Sequence, residues 1–190
     1  EHKITSFCAP PTAYKMMIHA DMAKYDLSSL KKADVAGEAL NPEVYERFLE
    51  HTGVKLREGF GQTETCVMIF TNEWIEPKPG SMGMPAAGWD VQLLDERGRQ
   101  ITEDGVVGEI CICVKEGRPV GLFQGYHKNE KMTAAVCRDG YYHTGDVAYR
   151  DNDGYYWFVG RNDDLIKTSG YRVSPFEVES VLLEHPSVRE

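Results

Sequence analysis

Residues 54–64, VKLREGFGQTE, alternate apolar and polar side chains and then place two glycines around a phenylalanine before a threonine and a glutamate. This alternation predicts a strand, and the glycines allow the backbone to approach a ligand closely where the strand ends. A helix is predicted just before it, because Asn41 is a good N-cap, Pro42 fits the first helical position and Gly53 suits the C′ position. The alternation of strand and helix signals predicts βαβ architecture with chemistry at the carboxyl end of a strand.

An earlier helix is predicted after the two prolines at positions 10 and 11. Its predicted apolar face consists of Ala13, Met16, Met17 and Ala20. From about residue 80 the pattern changes to short strands separated by turn residues, which predicts an antiparallel meander or a small barrel. These strands cover residues 90–95, 108–114, 142–149 and 155–159, with hairpin turns at 96–99 and 151–154. After residue 160 we expect a short hairpin around 169–170 and a helix that opens with a capping box of Ser174 and Glu177.

Composition excludes several classes of protein. The 190 residues carry a formal net charge of −9 and contain no block of basic residues, which disfavours a nucleic-acid binder. No apolar run is long enough to span a bilayer. The five cysteines show no disulfide framework, and Cys111 and Cys113 point the same way in an alternating run, which favours packing. We therefore expect reduced thiols in a cytosol-like compartment, no membrane span and no nucleic-acid partner.

Three segments carry residues suited to chemistry, and the first is residues 57–65, REGFGQTET. Backbone amides and a hydroxyl at a strand end can bind a phosphate, and the carboxylate of Glu64 beside such a site suits Mg²⁺. A polar turn stabilised by glycine is the alternative. The segment does not match a dinucleotide-binding fingerprint, because the position of the third glycine is occupied by Glu64.

The other two segments are weaker on their own. In YHTGD, residues 142–146, Asp146 follows a glycine and could bind both hydroxyls of a ribose, although an aspartate in this position more often caps a turn. In GRNDDLIKTSGYR, residues 160–172, three cations lie in an otherwise acidic chain. They alternate with acidic residues, so an exposed hairpin of mixed charge is the alternative. The six histidines show no metal-binding spacing.

Taken in series, the three segments resemble the adenylate-forming superfamily, which includes acyl-CoA synthetases, luciferases and peptide-synthetase adenylation domains. Residues 59–64 resemble its aromatic-Gly-x-Thr-Glu motif, residues 142–146 its Thr-Gly-Asp motif, and residues 160–172 its hinge segment. Three further stretches look most similar to the acetyl- and medium-chain acyl-CoA synthetases: GEALNPE at 37–43, KPGSMG at 78–83 and PVGLFQGY at 119–126. The resemblance covers nearly the whole chain.

The resemblance implies a role for each matching residue. Thr63 would contact the α-phosphate, Glu64 would hold Mg²⁺, and both are the implied catalytic residues. Asp146 would bind the ribose, supported by Arg161, and Asp163 would be the hinge. The implied ATP-binding set is Gly37, Glu38, Ala39, Glu58, Gly59, Phe60, Gly61, Gln62, Thr63, Asp146 and Arg161, with Phe60 stacked on the adenine. The implied CoA-binding residues are Ser169, Gly170 and Tyr171, and Arg172 would hold substrate or a CoA phosphate.

The fold class expected from these observations is α/β. Residues 1–80 would form part of a large N-terminal α/β subdomain, 81–161 an antiparallel β subdomain, and 162–190 the hinge and the beginning of a small α+β C-terminal domain. The implied activity is ATP- and Mg²⁺-dependent conversion of a short- to medium-chain carboxylic acid to acyl-AMP, followed by transfer to CoA. Loading of a carrier protein and a non-catalytic nucleotide-binding fragment are the alternatives.

The resemblance also implies that the chain is a fragment. The family's Ser/Thr/Gly-rich phosphate loop is expected before residue 1, and its late catalytic lysine after residue 190. We therefore expect the isolated chain to be inactive. The full-length enzyme is expected in the cytoplasm, with the mitochondrial matrix as the alternative for a eukaryotic source.

Overall fold

The structure is a computed structural model that describes residues 2–168, 171–183, 185, 187 and 188. For eight of these residues the structure describes only the backbone: 167, 168, 171, 172, 176, 177, 180 and 183. The chain divides into two compact units, residues 1–86 and 87–190. In the described part of the chain, every helix is too short or too polar to cross a membrane.

The first unit is a five-stranded sheet with two α-helices. Its strands are β1 (Ser6–Ala9), β2 (Lys32–Ala36), β3 (Leu56–Gln62), β4 (Cys66–Phe70) and β5 (Met84–Pro85), in that spatial order. Its helices are α1 (Pro11–His19) and α2 (Pro42–Thr52), and a short 3-10 helix covers Met22–Lys24. Strands β1, β2 and β3 are parallel, and β4 and β5 add antiparallel strands at one edge. The predicted βαβ layer is confirmed.

Helix α2 begins and ends where its sequence predicts. The side chain of Asn41 accepts a hydrogen bond from the amide of Glu43 at 2.8 Å, and Pro42 is the first helical residue. Gly53 closes the helix with φ of 70°, a left-handed conformation that costs glycine little. Phe48 on its inner face is fully buried and packs edge-on against Tyr14 of α1 at 5.0 Å between ring centroids.

The predicted face of α1 is only partly correct: Met17 packs against the core and Ala13 is half-buried, but Ala20 is exposed. Met16 is 71% exposed, whereas the buried residues of this helix are Pro11, Tyr14 and Ile18. Tyr14 is the centre of the buried face because its hydroxyl donates to the carbonyl oxygen of Asp34 at 2.9 Å while its ring packs in the core. A buried tyrosine needs such a partner for its hydroxyl, and apolar spacing along the helix does not reveal one.

The second unit contains the predicted meander. Four strands, β6 (Val91–Leu94), β7 (Gly108–Cys113), β9 (Tyr141–Arg150) and β10 (Tyr156–Arg161), form an antiparallel sheet in the order β10-β9-β7-β6. The short β8 (Cys137–Arg138) pairs with β9, and α3 (Glu130–Val136) precedes it. The strands agree with the predicted ones to within two residues at each end, but α3 and β8 were not predicted.

The last described segment contains a hairpin and a helix. Strands β11 (Ile166–Thr168) and β12 (Tyr171–Val173) pair antiparallel, as predicted, and α4 covers Pro175–Leu183. The carbonyl oxygen of Ser174 accepts from the amide of Val178 at 3.2 Å, as expected one residue before a helix. The predicted capping partner, the side chain of Glu177, lies outside the described side chains.

Candidate functional site

The residues implied by the resemblance lie in both units. The first unit holds Gly37, Glu38, Ala39, Glu58, Gly59, Phe60, Gly61, Gln62, Thr63 and Glu64. The second holds Asp146, Arg161 and Asp163. Ser169 and Gly170 lie outside the described residues, and of Tyr171 and Arg172 only the backbone, in β12, is described.

Two loops of the first unit emerge from the same edge of the sheet. Ala36, the last residue of β2, lies beside Gly59 of the parallel strand β3. The loop of residues 37–39 therefore leaves the sheet next to Phe60, as expected of a ligand site at the carboxyl ends of parallel strands. Gly37 has φ of 104°, which turns the chain sharply after the strand.

The hairpin between β3 and β4 presents Thr63 and Glu64. These two residues lie in the turn, with Thr63 exposed and Glu64 half-buried. The fully buried Thr65 holds the turn, because its hydroxyl accepts from the amide of Gln62 and donates to the carbonyl oxygen of Cys66, both at 2.9 Å. The sequence suggested no role for Thr65, although a threonine three residues after Gln62 can form such a local side-chain hydrogen bond to the backbone.

This turn offers the groups that the implied cofactor prefers. Mg²⁺ binds oxygen ligands, usually one or two carboxylates together with phosphate oxygens. The carboxylate of Glu64 and the hydroxyl of Thr63 are adjacent oxygen donors at the tip of one hairpin. The residues present therefore fit a magnesium–phosphate site.

Glu58 is a buried acid on the same strand. It is 5% exposed, and its Oε1 accepts only a long hydrogen bond of 3.4 Å from the amide of Leu40. Its Oε2 has no hydrogen-bond partner among the described residues. Burial raises the pKa of Glu58 to about 8, so this carboxyl is mostly protonated at neutral pH. It borders a small cavity lined by Leu40, Tyr45, Leu56, Glu58, Thr71, Pro77, Lys78, Pro79, Gly80 and Ser81.

The buried carboxyl predicts a pH-dependent stability. Between the ordinary pKa of 4.5 and the raised pKa of about 8, the folded chain holds a proton on Glu58 that the unfolded chain has lost. The free energy of unfolding should therefore fall with rising pH, by up to about 1.4 kcal/mol per pH unit from this group. Urea unfolding of wild type and Glu58→Gln at pH 5.5, 6.5 and 7.5 measures it, because the glutamine has no proton to lose.

The matched control is Glu50→Gln, which changes an exposed acid at the end of α2. This variant should keep the pH slope of the wild type, whereas Glu58→Gln should lose it. Equal slopes for wild type and Glu58→Gln would show that the Glu58 carboxyl is ionised in the folded chain.

In the second unit, Thr144, Gly145 and Asp146 form a bulge in β9. Glu109 of β7 pairs with Val147 and Cys111 pairs with His143, so a step of two residues on β7 spans four residues on β9. Bulges bend a strand and redirect its side chains, and they are common beside active sites. Thr144 stabilises this one: its hydroxyl donates to the carbonyl oxygen of Ile110 at 2.7 Å and accepts from the amide of Asp146 at 3.0 Å.

The bulge brings Asp146 to Arg161. The two residues pair across β9 and β10, with Arg161 Nη1 at 3.3 Å from Asp146 Oδ1. The same nitrogen donates to the carbonyl oxygen of Thr144 at 3.0 Å, and Arg161 Nε lies 3.4 Å from the exposed carboxylate of Asp163. Asp146 is 5% exposed, so its charge is held in a region where electrostatic interactions are stronger than in water. Arg161 therefore contacts the Asp146 carboxylate, and its expected role at the ribose stays a prediction.

Gly145 permits this arrangement. Its φ is 75°, and a Cβ there would lie 2.9 Å from Nη2 of Arg161. A side chain at this position would therefore push the guanidinium away from Asp146. The glycine of the Thr-Gly-Asp motif is needed for close packing of the arginine as well as for its backbone conformation.

Three potential metal ligands meet beside the bulge, although the sequence showed no metal spacing. Glu109 Oε2 lies 2.9 Å from His143 Nδ1, and Cys111 Sγ lies 3.4 Å from the same nitrogen. Arg138 Nη2 is also 3.3 Å from this nitrogen, so a cation already faces the group. Burial raises the pKa of the Cys111 thiol, which keeps it protonated. Glu109, Cys111 and His143 thus form a hydrogen-bonded network with Arg138 beside it.

Comparison with known proteins identifies the family of the chain. The family model "AMP-binding enzyme" matches residues 1–127. The chain is 49% identical over 187 residues to the mouse (Mus musculus) "Acyl-coenzyme A synthetase ACSM3, mitochondrial", covering 98% of this chain and 32% of the relative. It is equally similar to "4-hydroxybutyrate--CoA ligase 1" of Metallosphaera sedula, covering 98% of this chain and 33% of that relative.

The solved structures agree with the curated relatives. The structure of the anthranilate CoA ligase AuaEII in complex with anthranoyl-AMP superposes with a TM-score of 0.90 at 34% identity, covering 100% of this chain and 36% of that one. The chain thus spans about a third of the length of these proteins. The match covers both units, including the β3–β4 hairpin and the bulge of β9. The two curated relatives named above are CoA ligases. The chain belongs to the AMP-binding enzymes of the adenylate-forming superfamily.

Proposed function

We propose that this chain is part of an enzyme that activates a short- to medium-chain carboxylic acid with ATP as acyl-AMP and then transfers the acyl group to CoA. The observation that carries the proposal is the buried Asp146 on the bulge of β9, paired with the more exposed Arg161 of β10, in a chain with 49% identity to named CoA ligases. A buried carboxylate with two lone-pair-bearing oxygens can accept hydrogen bonds from both hydroxyls of a ribose. Arg161 holds that carboxylate in one orientation.

The first half-reaction sets an anionic carboxylate against an anionic α-phosphate. Two unit charges 4 Å apart repel by about 4 kcal/mol at an effective dielectric constant near 20. Thr63 would donate its hydroxyl to the α-phosphate, and Glu64 would hold the Mg²⁺ that neutralises phosphate charge when bound. Because both residues project from one turn held by Thr65, the hairpin sets their spacing.

The adenine would lie between the loop of residues 37–39 and Phe60 of β3, because that loop leaves β2 beside Gly59. An aromatic ring at position 60 offers a stacking surface, and the exposed backbone of the loop offers hydrogen-bonding groups.

The second half-reaction requires access for a thiol. We assign Ser169, Gly170 and Tyr171 to the CoA passage and Arg172 to the substrate or a CoA phosphate, as the family resemblance implies. Asp163, 74% exposed in a turn after β10, is assigned as the hinge. An exposed turn residue can change its backbone angles without disrupting a core, which is what a hinge requires.

The relatives suggest the class of the substrate acid and the cellular compartment of the complete enzyme. One relative is named for 4-hydroxybutyrate, a short acid, which favours a short- to medium-chain substrate over a long one. Another carries "mitochondrial" in its name, which favours the mitochondrial matrix for a eukaryotic source over the cytoplasm.

The proposal is tested by two assays on the complete enzyme and on the isolated 190-residue chain. The complete enzyme should catalyse acid-dependent exchange of pyrophosphate into ATP, and should form a thioester when CoA is added, across acids of two to ten carbons. The isolated chain should catalyse neither, because it spans about a third of its relatives.

Each assay can contradict the proposal. Exchange by the isolated chain would refute its expected inactivity. Pyrophosphate exchange together with acylation of a carrier protein, but without formation of a CoA thioester, would show that the acyl acceptor is the carrier protein and not CoA. No exchange with any acid, despite ATP binding by the complete protein, would favour a non-catalytic nucleotide-binding role.

A further inference from the structure

The amide of Gly145 needs a partner that the strand ladder does not supply. Gly145 lies in the bulge of β9, between the ladder pairs His143–Cys111 and Val147–Glu109. Residues inside a bulge lose the regular interstrand hydrogen bonds, and an unpaired amide in a buried region is costly. Here the partner is a side chain: Oε1 of Glu109 accepts from the Gly145 amide at 3.0 Å.

The other oxygen of Glu109 holds the residue before the bulge. Oε2 lies 2.9 Å from Nδ1 of His143, whose side chain is 9% exposed. The carboxylate can only accept, so this contact is a hydrogen bond when His143 carries a proton on Nδ1. The Glu109 carboxylate therefore contacts both end residues of the His143–Gly145 segment, which directly precedes Asp146.

The opposite side of the bulge accepts hydrogen bonds from the last residue of β10 and from the residue that follows it. The Gly145 carbonyl oxygen accepts from the amide of Asn162 at 2.8 Å, and the Thr144 carbonyl oxygen accepts from Arg161. Glu109 is the charged group on the β7 side. Nη2 of Arg138 lies 3.3 Å from His143 Nδ1, which places a cation beside this histidine.

We propose that Glu109 is a positioning residue for nucleotide binding: by accepting from the Gly145 amide and from His143, it holds the bulge in the shape that presents Asp146 to the ribose. This role rests on the proposed nucleotide-binding function. Glu109 itself touches no substrate. Its removal changes the position of the Asp146 carboxylate and therefore the affinity for ATP, while the acid-binding groups stay in place.

The test uses steady-state kinetics of the complete enzyme. Glu109→Ala should raise KM for ATP about tenfold and leave KM for the acid within twofold, because it leaves the Gly145 amide and His143 without their acceptor. Glu109→Gln should stay within threefold of wild type, because its carbonyl oxygen still accepts from Gly145 and its amide group can donate to Nδ1 of the other histidine tautomer. A structural role alone would change thermal stability without this selective effect on ATP.

The matched control is Asp104→Ala. Asp104 is also an acid fastened to β9, through Arg150 at 2.9 Å, but it lies away from the bulge. This variant should leave KM for ATP unchanged. A rise in KM equal to that of Glu109→Ala would attribute the effect to general loosening of β9 and overturn the proposal.

A double variant separates this proposal from the nucleotide-binding function. If Glu109 acts through Asp146, adding Glu109→Ala to Asp146→Asn should raise KM for ATP less than threefold further. A full additional tenfold rise would mean independent roles and would refute positioning. If Asp146→Asn raises KM for ATP and Glu109→Ala does not, the positioning role of Glu109 is refuted but the ribose-binding role of Asp146 is not. If neither variant raises KM for ATP, both roles are refuted.

Discussion

Gly61→Ala should destabilise the first unit by about 3 kcal/mol or more. A Cβ at position 61 would lie 1.8 Å from the carbonyl oxygen of Cys66 and 2.9 Å from the Cα of Val67. These are backbone atoms of β4, so no side-chain rotation relieves the overlap and the hairpin has to open. The turn that carries Thr63 and Glu64 would open with it. Urea unfolding of the purified chain, followed by circular dichroism, measures the loss.

The control for this substitution is Gly53→Ala, at the end of α2. A Cβ at Gly53 meets nothing within 4 Å, but φ of 70° is unfavourable for alanine. The cost there is conformational and should be about 1 kcal/mol. If Gly61→Ala costs no more than Gly53→Ala, the close approach of β3 and β4 at Gly61 is refuted.

Asp146→Asn should lower kcat/KM for ATP about 100-fold in the complete enzyme. The substitution keeps the size of the side chain but removes its charge and one of its two acceptor oxygens. Hydrogen bonds to a charged group contribute about 1.5–3 kcal/mol each, and the variant weakens those to both ribose hydroxyls. The measurement is initial-rate pyrophosphate exchange with ATP varied at saturating acid.

Asp104→Asn is the control, because the pairs Asp104–Arg150 and Asp146–Arg161 are both aspartate–arginine pairs that involve β9. Only the second pair lies in the bulge. The control should keep kcat/KM for ATP within twofold of wild type. An Asp146→Asn enzyme with wild-type kcat/KM would remove the ribose-binding role from the proposed function.

Much of the fold could be predicted from local sequence. Asn41, Pro42 and Gly53 set the ends of α2 through interactions within a few residues, and the strands of the meander were found from their alternation and the turn residues between them. The motif residues Thr63, Glu64 and Asp146 were recognised because the family resemblance depends on short contiguous stretches. Each of these signals is contained in about ten neighbouring residues.

The parts that could not be predicted depend on residues distant in the sequence. The buried face of α1 is decided by the carbonyl oxygen of Asp34, which accepts from Tyr14 across 20 positions. The support of the bulge is decided by Glu109, which lies 36 positions before Gly145. Spacing along one strand or helix contains no information about such partners.

The sequence by itself determined the family and the α/β class, because local patterns and short motifs carry that information. Only the tertiary structure decided that Glu58 is buried with a raised pKa, that Thr144–Asp146 form a bulge, and that Glu109 accepts a hydrogen bond from it. The physical reason is that burial and hydrogen-bond partners are properties of the packed chain. They appear when strands far apart in sequence become neighbours in a sheet.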